Sequence, residues 1–255
     1  MMEVEVVGAH NLTDATRRLV ALRVDRWLGV DAGSLSSGLS FEEQLKLKAI
    51  LLTHHHFDHI RDIFTLGLFR AYQGSISLYA TAPSLQVLSS LLDGRIYPDF
   101  FHWPPESPVY RTHVLEPFKE ANIEGYKVLP LPVPHAGPAV GYSITSPRGK
   151  SFFYSGDTGP GLAQCWSHTT PDLMVLEMSG SNRFESVMRQ ASHMTPRFLK
   201  EELVAFKKLH GYLPRVALVH YTPTLEQEIA QEVAELAREL GASITLAQDG
   251  TRLQV

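Results

Sequence analysis

An α/β fold of layered, mixed sheets is predicted by three observations. Short apolar or alternating segments recur along the chain and read as strands. Helical periodicities fall between them at intervals, the pattern of sheets covered by helices. The chain's 255 residues, 44% hydrophobic and 20% charged, suffice for one sizeable core. With no internal repeat or linker-like tract, a single domain over 1–255 is expected.

Strands are expected at Glu3–Val7, Leu19–Val24, Ala49–Thr53, Ser77–Ala80, Tyr126–Leu131, Gly141–Thr145, Ser151–Ser155, Leu173–Glu177, Val216–His220 and Ser243–Leu246. Apolar residues at helical spacing predict a helix over Ile60–Tyr72, stopped at Gly74. A second follows over Pro83–Leu92, opened by proline in its first turn. The third, Pro196–Leu209, has Thr195 as N-cap and Phe198, Leu199, Leu203 and Phe206 on one face. The fourth, Thr224–Leu240, ends at Gly241. Charge on these last two reads as a solvated face. The stretch Asp93–Pro117, rich in proline and aromatics, is expected to be irregular and to act as an ordered lid or a homodimer contact.

The formal charge of −4 argues against a broad nucleic-acid or anionic-membrane surface, while leaving a local basic patch open. The one cysteine, Cys165, rules out an internal disulfide framework and a cysteine-rich zinc knuckle, and suits a reducing cytoplasm. The acidic start MMEVEVVGAHN does not read as a signal peptide, and no run reaches the roughly 18 apolar residues of a membrane span.

Chemistry concentrates in LLTHHHFDHIRD, residues 51–62, at the end of an apolar strand. Burying that much imidazole and carboxylate costs several kcal/mol unless a partner compensates it. His54 and His56, two apart in an extended segment, point to one side and can reach one cation. Asp58 and His59, where the chain turns into a helix, can reach a second nearby. A solvated loop with chance histidines is the competing reading; the dense spacing behind an apolar strand argues against it. His135, Asp157 and His220 each also follow an apolar strand and precede a turn. Alone, each such residue is more often structural than a ligand. Together they repeat the setting in which open α/β sheets carry their sites.

This pattern, His54-x-His56-x-Asp58-His59 followed by His135, Asp157 and His220, resembles the metallo-β-lactamase superfamily in its two-metal hydrolase form. VDAG at 30–33 also resembles that family's early strand and turn. The resemblance implies an αββα sandwich with the site at one edge of the two sheets. It further implies that His54, His56 and His135 bind a first metal, that Asp58, His59 and His220 bind a second, and that Asp157 bridges them. His55 falls at a variable position and is not assigned. Seven His/Asp ligands without cysteine suit Zn²⁺ best, with Mn²⁺ or Fe²⁺ as alternatives. Two such ions can ionise a water at neutral pH and clamp the oxygens of a displacement.

A second resemblance narrows the substrate. LMVLEMSGSN and SHMTPRFLKEEL are similar to segments of class II cyclic-nucleotide phosphodiesterases, and more distantly of ribonuclease Z. It implies that His193 is a general acid or phosphate contact and Glu177 its partner, with Asp58 completing the catalytic set. The alternative for His193 is a capping or packing role at the helix start. RIYPDFF, residues 95–101, resembles another element of the class II enzymes; its aromatics offer either base stacking or core and dimer contacts. VVGAHNLTDA lacks the Gly-rich loop many of these enzymes carry, and the YTP after His220 departs from the ribonuclease Z pattern. The expected activity is therefore hydrolysis of a cyclic nucleotide or similar small phosphodiester. A tRNA 3′ endonuclease of the ribonuclease Z type is one alternative, disfavoured by the charge and by the lack of a lysine-rich arm. A thioester or lactone hydrolase of the same fold is another, and a non-hydrolytic metal or redox module a third. His10, His102, His113, His168 and His210 lack ligand-like context, His10 being the nearest to an exception.

Overall fold

The structure is a computed structural model and describes residues 2–255. β1 (Glu3–Gly8), β2 (Ala21–Val24), β3 (Leu28–Val30), β4 (Ala49–Leu51), β5 (Ile76–Ala80) and β6 (Tyr110–Val114) lie side by side in chain order in one sheet. The second sheet is formed likewise by β7 (Ala121–Ile123), β8 (Tyr126–Pro132), β9 (Val140–Thr145), β10 (Ser151–Tyr154), β11 (Leu173–Glu177), β12 (Arg215–Val219) and β13 (Ile244–Leu246). β14 (Thr251–Gln254) returns to the first sheet, antiparallel to β1.

Alternation along β4 shows how the layers stack. Ala49 and Leu51 join the core between the sheets, whereas Ile50 and Leu52 join the cluster beneath the helices. Those helices are α1 (Leu35–Gly38), α2 (Phe41–Lys46), α3 (Phe57–Arg70) and α4 (Ala82–Leu91). On the far side α5 (Ala163–Trp166), α6 (Glu185–Ala191), α7 (Pro196–His210) and α8 (Glu226–Leu240) cover the second sheet. The αββα order is the one expected. Each fully buried Leu or Ile contributes roughly 1.5–3 kcal/mol, so a strand gripped on both faces can carry a polar run off its end.

Both sheets deliver their strand ends to one edge. β3 to β6 are mutually parallel, as are β10 to β13. β8 shares the direction of β10, since each pairs antiparallel with β9. Asp31, His54, His135, Asp157, Glu177 and His220 all lie at or just beyond C-terminal strand ends there. Gly33 makes the first sheet's turn possible: a Cβ there would sit 2.1 Å from the Asp58 carbonyl oxygen and 2.5 Å from that of Val20.

Several expected boundaries shift. Pairing in β4, β10 and β12 stops short of Thr53, Ser155 and His220, because the chain leaves the sheet to enter the site. Leu19 makes only an isolated bridge to His10, and β2 begins at Ala21. α3 starts at Phe57, with His56 as N-cap, so Asp58 and His59 lie in its first turn. It ends at Arg70; Gly74, at φ +107°, donates its N–H to the Arg70 carbonyl at 2.9 Å but stands beyond the helix. Thr195 caps α7 as expected, and Gly241 ends α8 in the left-handed conformation. The fourth helix begins at Glu226, because Pro223–Leu225 forms a single 3₁₀ turn.

The stretch 93–117 is not a free lid. It contains β6, an edge strand mostly exposed and without apolar alternation, which periodicity could not reveal. Phe100 is completely buried in the cluster beneath the helices, so it cannot stack on a base. It presses on α3 where Gly67 leaves room; a Cβ at 67 would lie 2.5 Å from its ring. Tyr97 packs on Phe64, with ring centroids 5.4 Å apart. β3, β7 and β14 and the short helices α1, α2, α5 and α6 also escaped the periodicity, having too few residues to display one.

Candidate metal centre

Two groups of donor atoms joined by one carboxylate meet where the strand ends converge, with a third group, Glu177, His193 and His220, beside them. His54, His56, His135 and Asp157 form one; Asp58, His59, Asp157 and His220 form the other; in each, the ligating atoms all lie within 4.8 Å of one another. Asp157 belongs to both. Its Oδ2 stands 3.8 Å from His54 Nε2, 4.0 Å from His135 Nε2 and 3.2 Å from His220 Nε2. Its Oδ1 lies 2.9 Å from His59 Nε2. Asp58 Oδ2 is 3.0 Å from His220 Nε2 and 3.7 Å from His59 Nε2. His56 Nδ1 and His135 Nε2 face each other at 3.0 Å.

The imidazoles are held from behind. Thr53 Oγ1 donates to the Asp31 carboxylate and so is left to accept from His54 Nδ1 at 3.0 Å. Asp31 Oδ2 accepts from His59 Nδ1 at 2.7 Å and from the Tyr154 hydroxyl at 2.9 Å. Ser179 Oγ donates to Glu177 Oε1 at 2.5 Å and accepts from His220 Nδ1 at 2.9 Å. The Ser192 carbonyl accepts from His135 Nδ1 at 3.3 Å. In all four rings a proton is thereby placed on Nδ1, and Nε2 turns inward.

Such a centre fits divalent cations. His54 Nε2 is a buried polar atom without a hydrogen-bond partner among the described residues, and His59 Nε2 and Asp157 Oδ1 face each other. Left so, the first would cost about 1–3 kcal/mol; a cation beside it removes that cost. Burial, reinforced by neighbouring imidazoles, pushes His54 well below the usual imidazole range and lowers His56 and His135, leaving them neutral as ligation requires. Asp157 is held well below the usual carboxylate range: its complete burial opposes this, but His220 and His59 outweigh it. His59 goes the other way. Burial disfavours its charge, yet Asp157 and Asp31 draw a proton onto it, and a cation beside Nε2 would take that proton's place. His220 is also turned inward by its backbone, at φ +65°, a left-handed geometry a non-glycine residue rarely adopts.

His193 stands beside this centre, its ring centroid 5.3 Å from that of His135 and 5.7 Å from that of His220. Its Nδ1 contacts Glu177 Oε1 at 2.5 Å, and the other Glu177 oxygen accepts the Thr158 N–H. Burial alone would lower His193, but the Glu177 carboxylate outweighs it and raises the imidazole to about 9. Glu177, completely buried, thus holds a cationic, partly accessible imidazole at the rim.

The seven ligand candidates and the His193–Glu177 pair therefore converge here. His55 does not join either group; its Nδ1 lies 3.4 Å from Ser84 Oγ. His10 is buried against Tyr221 and 3.3 Å from Asp249, outside both groups. Sequence reasoning missed Thr53, Tyr154 and Ser179, and noted Asp31 only within VDAG without a role. Their signal is weak, because a hydroxyl or lone carboxylate near a strand end is ordinary.

Fold and site define a metallo-hydrolase of the metallo-β-lactamase fold. The chain belongs to the β-lactamase superfamily: the family described as "Beta-lactamase superfamily domain" matches residues 27–221. Among curated proteins, the uncharacterized protein Rv1339 of Mycobacterium tuberculosis is 31% identical over 123 residues, 43% of this chain and 41% of that protein. The matched part is thus about two fifths of that relative's length. Among solved structures, unliganded yeast PDE1 aligns with a TM-score of 0.84 at 16% identity, over 100% of this chain and 99% of that one. The metallo-β-lactamase fold protein YhfI from Bacillus subtilis gives 0.76 at 18%, over 99% and 98%. The short form of human tRNase Z gives 0.69 at 18%, over 99% of each. At these identities the structural likeness establishes the fold.

Proposed function

We propose that the chain is a dinuclear metal-dependent phosphodiesterase that cleaves a cyclic nucleotide or a similar small phosphodiester. In this reading His54, His56 and His135 hold one ion and Asp58, His59 and His220 a second, with Asp157 shared; Zn²⁺ suits the donors best, then Mn²⁺ or Fe²⁺. Bound ions supply Lewis acidity and an ionised water at neutral pH. The observation that carries the reading is the His193–Glu177 pair set beside the shared carboxylate. A protonated His193 offers an N–H to a phosphoryl oxygen or to the departing alkoxide, which needs a proton where a thioester's leaving thiolate does not. Glu177, bound to His193 Nδ1, stabilises the cationic ring so that Nε2 keeps the proton it offers, and Ser179 ties Glu177 to His220, so that acid and donor set keep one geometry. The yeast neighbour named PDE1 agrees with this class. The single buried Cys165 keeps the cytoplasm as the proposed compartment.

The test is turnover of bis-p-nitrophenyl phosphate by protein loaded with zinc or manganese. Multiple turnovers support the proposal. No diester cleavage beside rapid lactone or thioester cleavage overturns it, and cleavage confined to tRNA 3′ ends replaces it with the endonuclease reading.

A further inference from the structure

Beside the donor groups lies a groove of 380 Å³, walled by residues 81–83 at the start of α4, 114–117 at the exit of β6, and Pro132 with residues 138–140 around the loop that carries His135. Two contacts tie its surroundings to the segment that carries the first donors. Val140 N–H donates to the carbonyl of Thr53, the residue before His54, at 3.1 Å. Ser84, in the first turn of α4, is the residue that meets His55.

The groove's chemistry is unusual for a site beside so many charges. Pro83, Pro117, Pro132 and Pro138 bring no N–H. The remaining polar backbone is largely committed elsewhere: Leu115 N–H donates to Ala80, the Ala139 carbonyl accepts from Val133, and the Pro132 carbonyl accepts from Cys165. The Thr81 hydroxyl is bound to Ser84 at 3.3 Å. Glu116, the charged residue on the wall, is paired with Lys119 at 2.9 Å in solvent. A wall with so few free polar groups reads little of a ligand's hydrogen-bonding edge, and it penalises any group that must lose water to enter. Its size is that of a small-molecule subsite, and it adjoins a polar centre that would orient the ligand's charged end.

Resting on the phosphodiesterase reading, we infer that this groove is a specificity subsite that takes one uncharged, apolar ester arm of the substrate, aryl or branched alkyl. Among the small phosphodiesters of that reading, the groove then selects one with an apolar arm over a cyclic nucleotide, whose two ester oxygens both belong to the ribose. A nucleobase would be accommodated only as a flat surface, its polar edge unread.

Binding of two inert phosphonates to the metal-loaded full chain tests this by calorimetry, because phenylphosphonate and methylphosphonate share a headgroup and differ in the arm. Phenylphosphonate should bind about tenfold tighter or more, the scale of burying a ring-sized apolar group. Ala139→Phe, which fills the groove, should bring the two within about threefold. Val114→Glu, at an exposed rim position, should do the same. Equal binding by the unaltered protein, no phenylphosphonate binding at all, or a preference surviving both substitutions overturns the inference. The two readings fail separately. A phenyl preference without any diester turnover sinks the phosphodiesterase and leaves an apolar subsite; turnover without the preference sinks the subsite alone.

Discussion

His193 Nδ1 meets Glu177 Oε1 at 2.5 Å, and the carboxylate that receives it is completely buried. Because that contact raises the imidazole to about 9, His193 carries its proton at neutral pH. As the proton donor it is competent below that value and is lost above it. Diester cleavage should therefore decline as pH rises through about 9. Glu177→Gln removes the carboxylate that outweighs burial, so the alkaline limb should move to lower pH. A pH–rate profile of both proteins decides this, and an unmoved limb would reassign the ionisation.

His193→Ala should retain metal and slow cleavage by about 10²–10⁴-fold, the usual scale of acid–base assistance. The loss should shrink for p-nitrophenyl esters, whose leaving groups need little protonation. Elemental analysis beside the rates separates this from ligation: metal lost with the substitution would make His193 a ligand.

His56→Ala removes one donor from the first group and should abolish metal binding there, together with nearly all activity. Asp157→Ala should reduce metal at both groups, since its oxygens serve both. Metal-to-protein ratios measured after dialysis check both outcomes, and full occupancy of either variant refutes the proposed ligand set.

Asp31 accepts hydrogen bonds from Thr53, His59 and Tyr154 in a fully buried setting. Asp31→Ala should lower metal affinity about 10–100-fold, as expected when the partner orienting a ligand histidine is lost. Tyr154→Phe removes one of these bonds to a buried carboxylate and should cost about 1.5–3 kcal/mol. Metal titration and urea unfolding of the chelated proteins read the two effects apart.

Gly33→Ala and Gly67→Ala both force a methyl into occupied space on α3's side of the molecule. Gly33 abuts the Asp58 carbonyl, so its substitution should weaken metal binding as well as stability. Gly67 abuts Phe100, away from the donors, and should cost stability alone, about 1–3 kcal/mol by overpacking. Adding Phe100→Leu to Gly67→Ala should restore part of that loss in a denaturation curve.

The donors were legible because each follows from a local rule. His54 and His56 share a face by their spacing, and His135, Asp157 and His220 follow apolar strands. Glu177 and His193 were reached through resemblance. Asp31 and Ser179 resisted because their meaning lies in a distant partner: Asp31 meets His59 across 28 positions, and Ser179 meets His220 across 41. The same limit applies to Phe100, whose place against Gly67 reflects packing between segments with no shared periodicity. β6 was hidden for a third reason, since an edge strand exposed to water needs no alternation.

The two sheets contribute opposite halves of the donor set: His54 to His59 follow β4, while His135, Asp157 and His220 follow β8, β10 and β12. Ions bound there would act as rivets through the seam between layers. Since an unfolded chain cannot present both halves together, occupancy would strengthen the native state by mass action. Depleting the ions would then loosen the joint between the sheets as well as silence the chemistry, so that metal supply governs how long the folded chain survives.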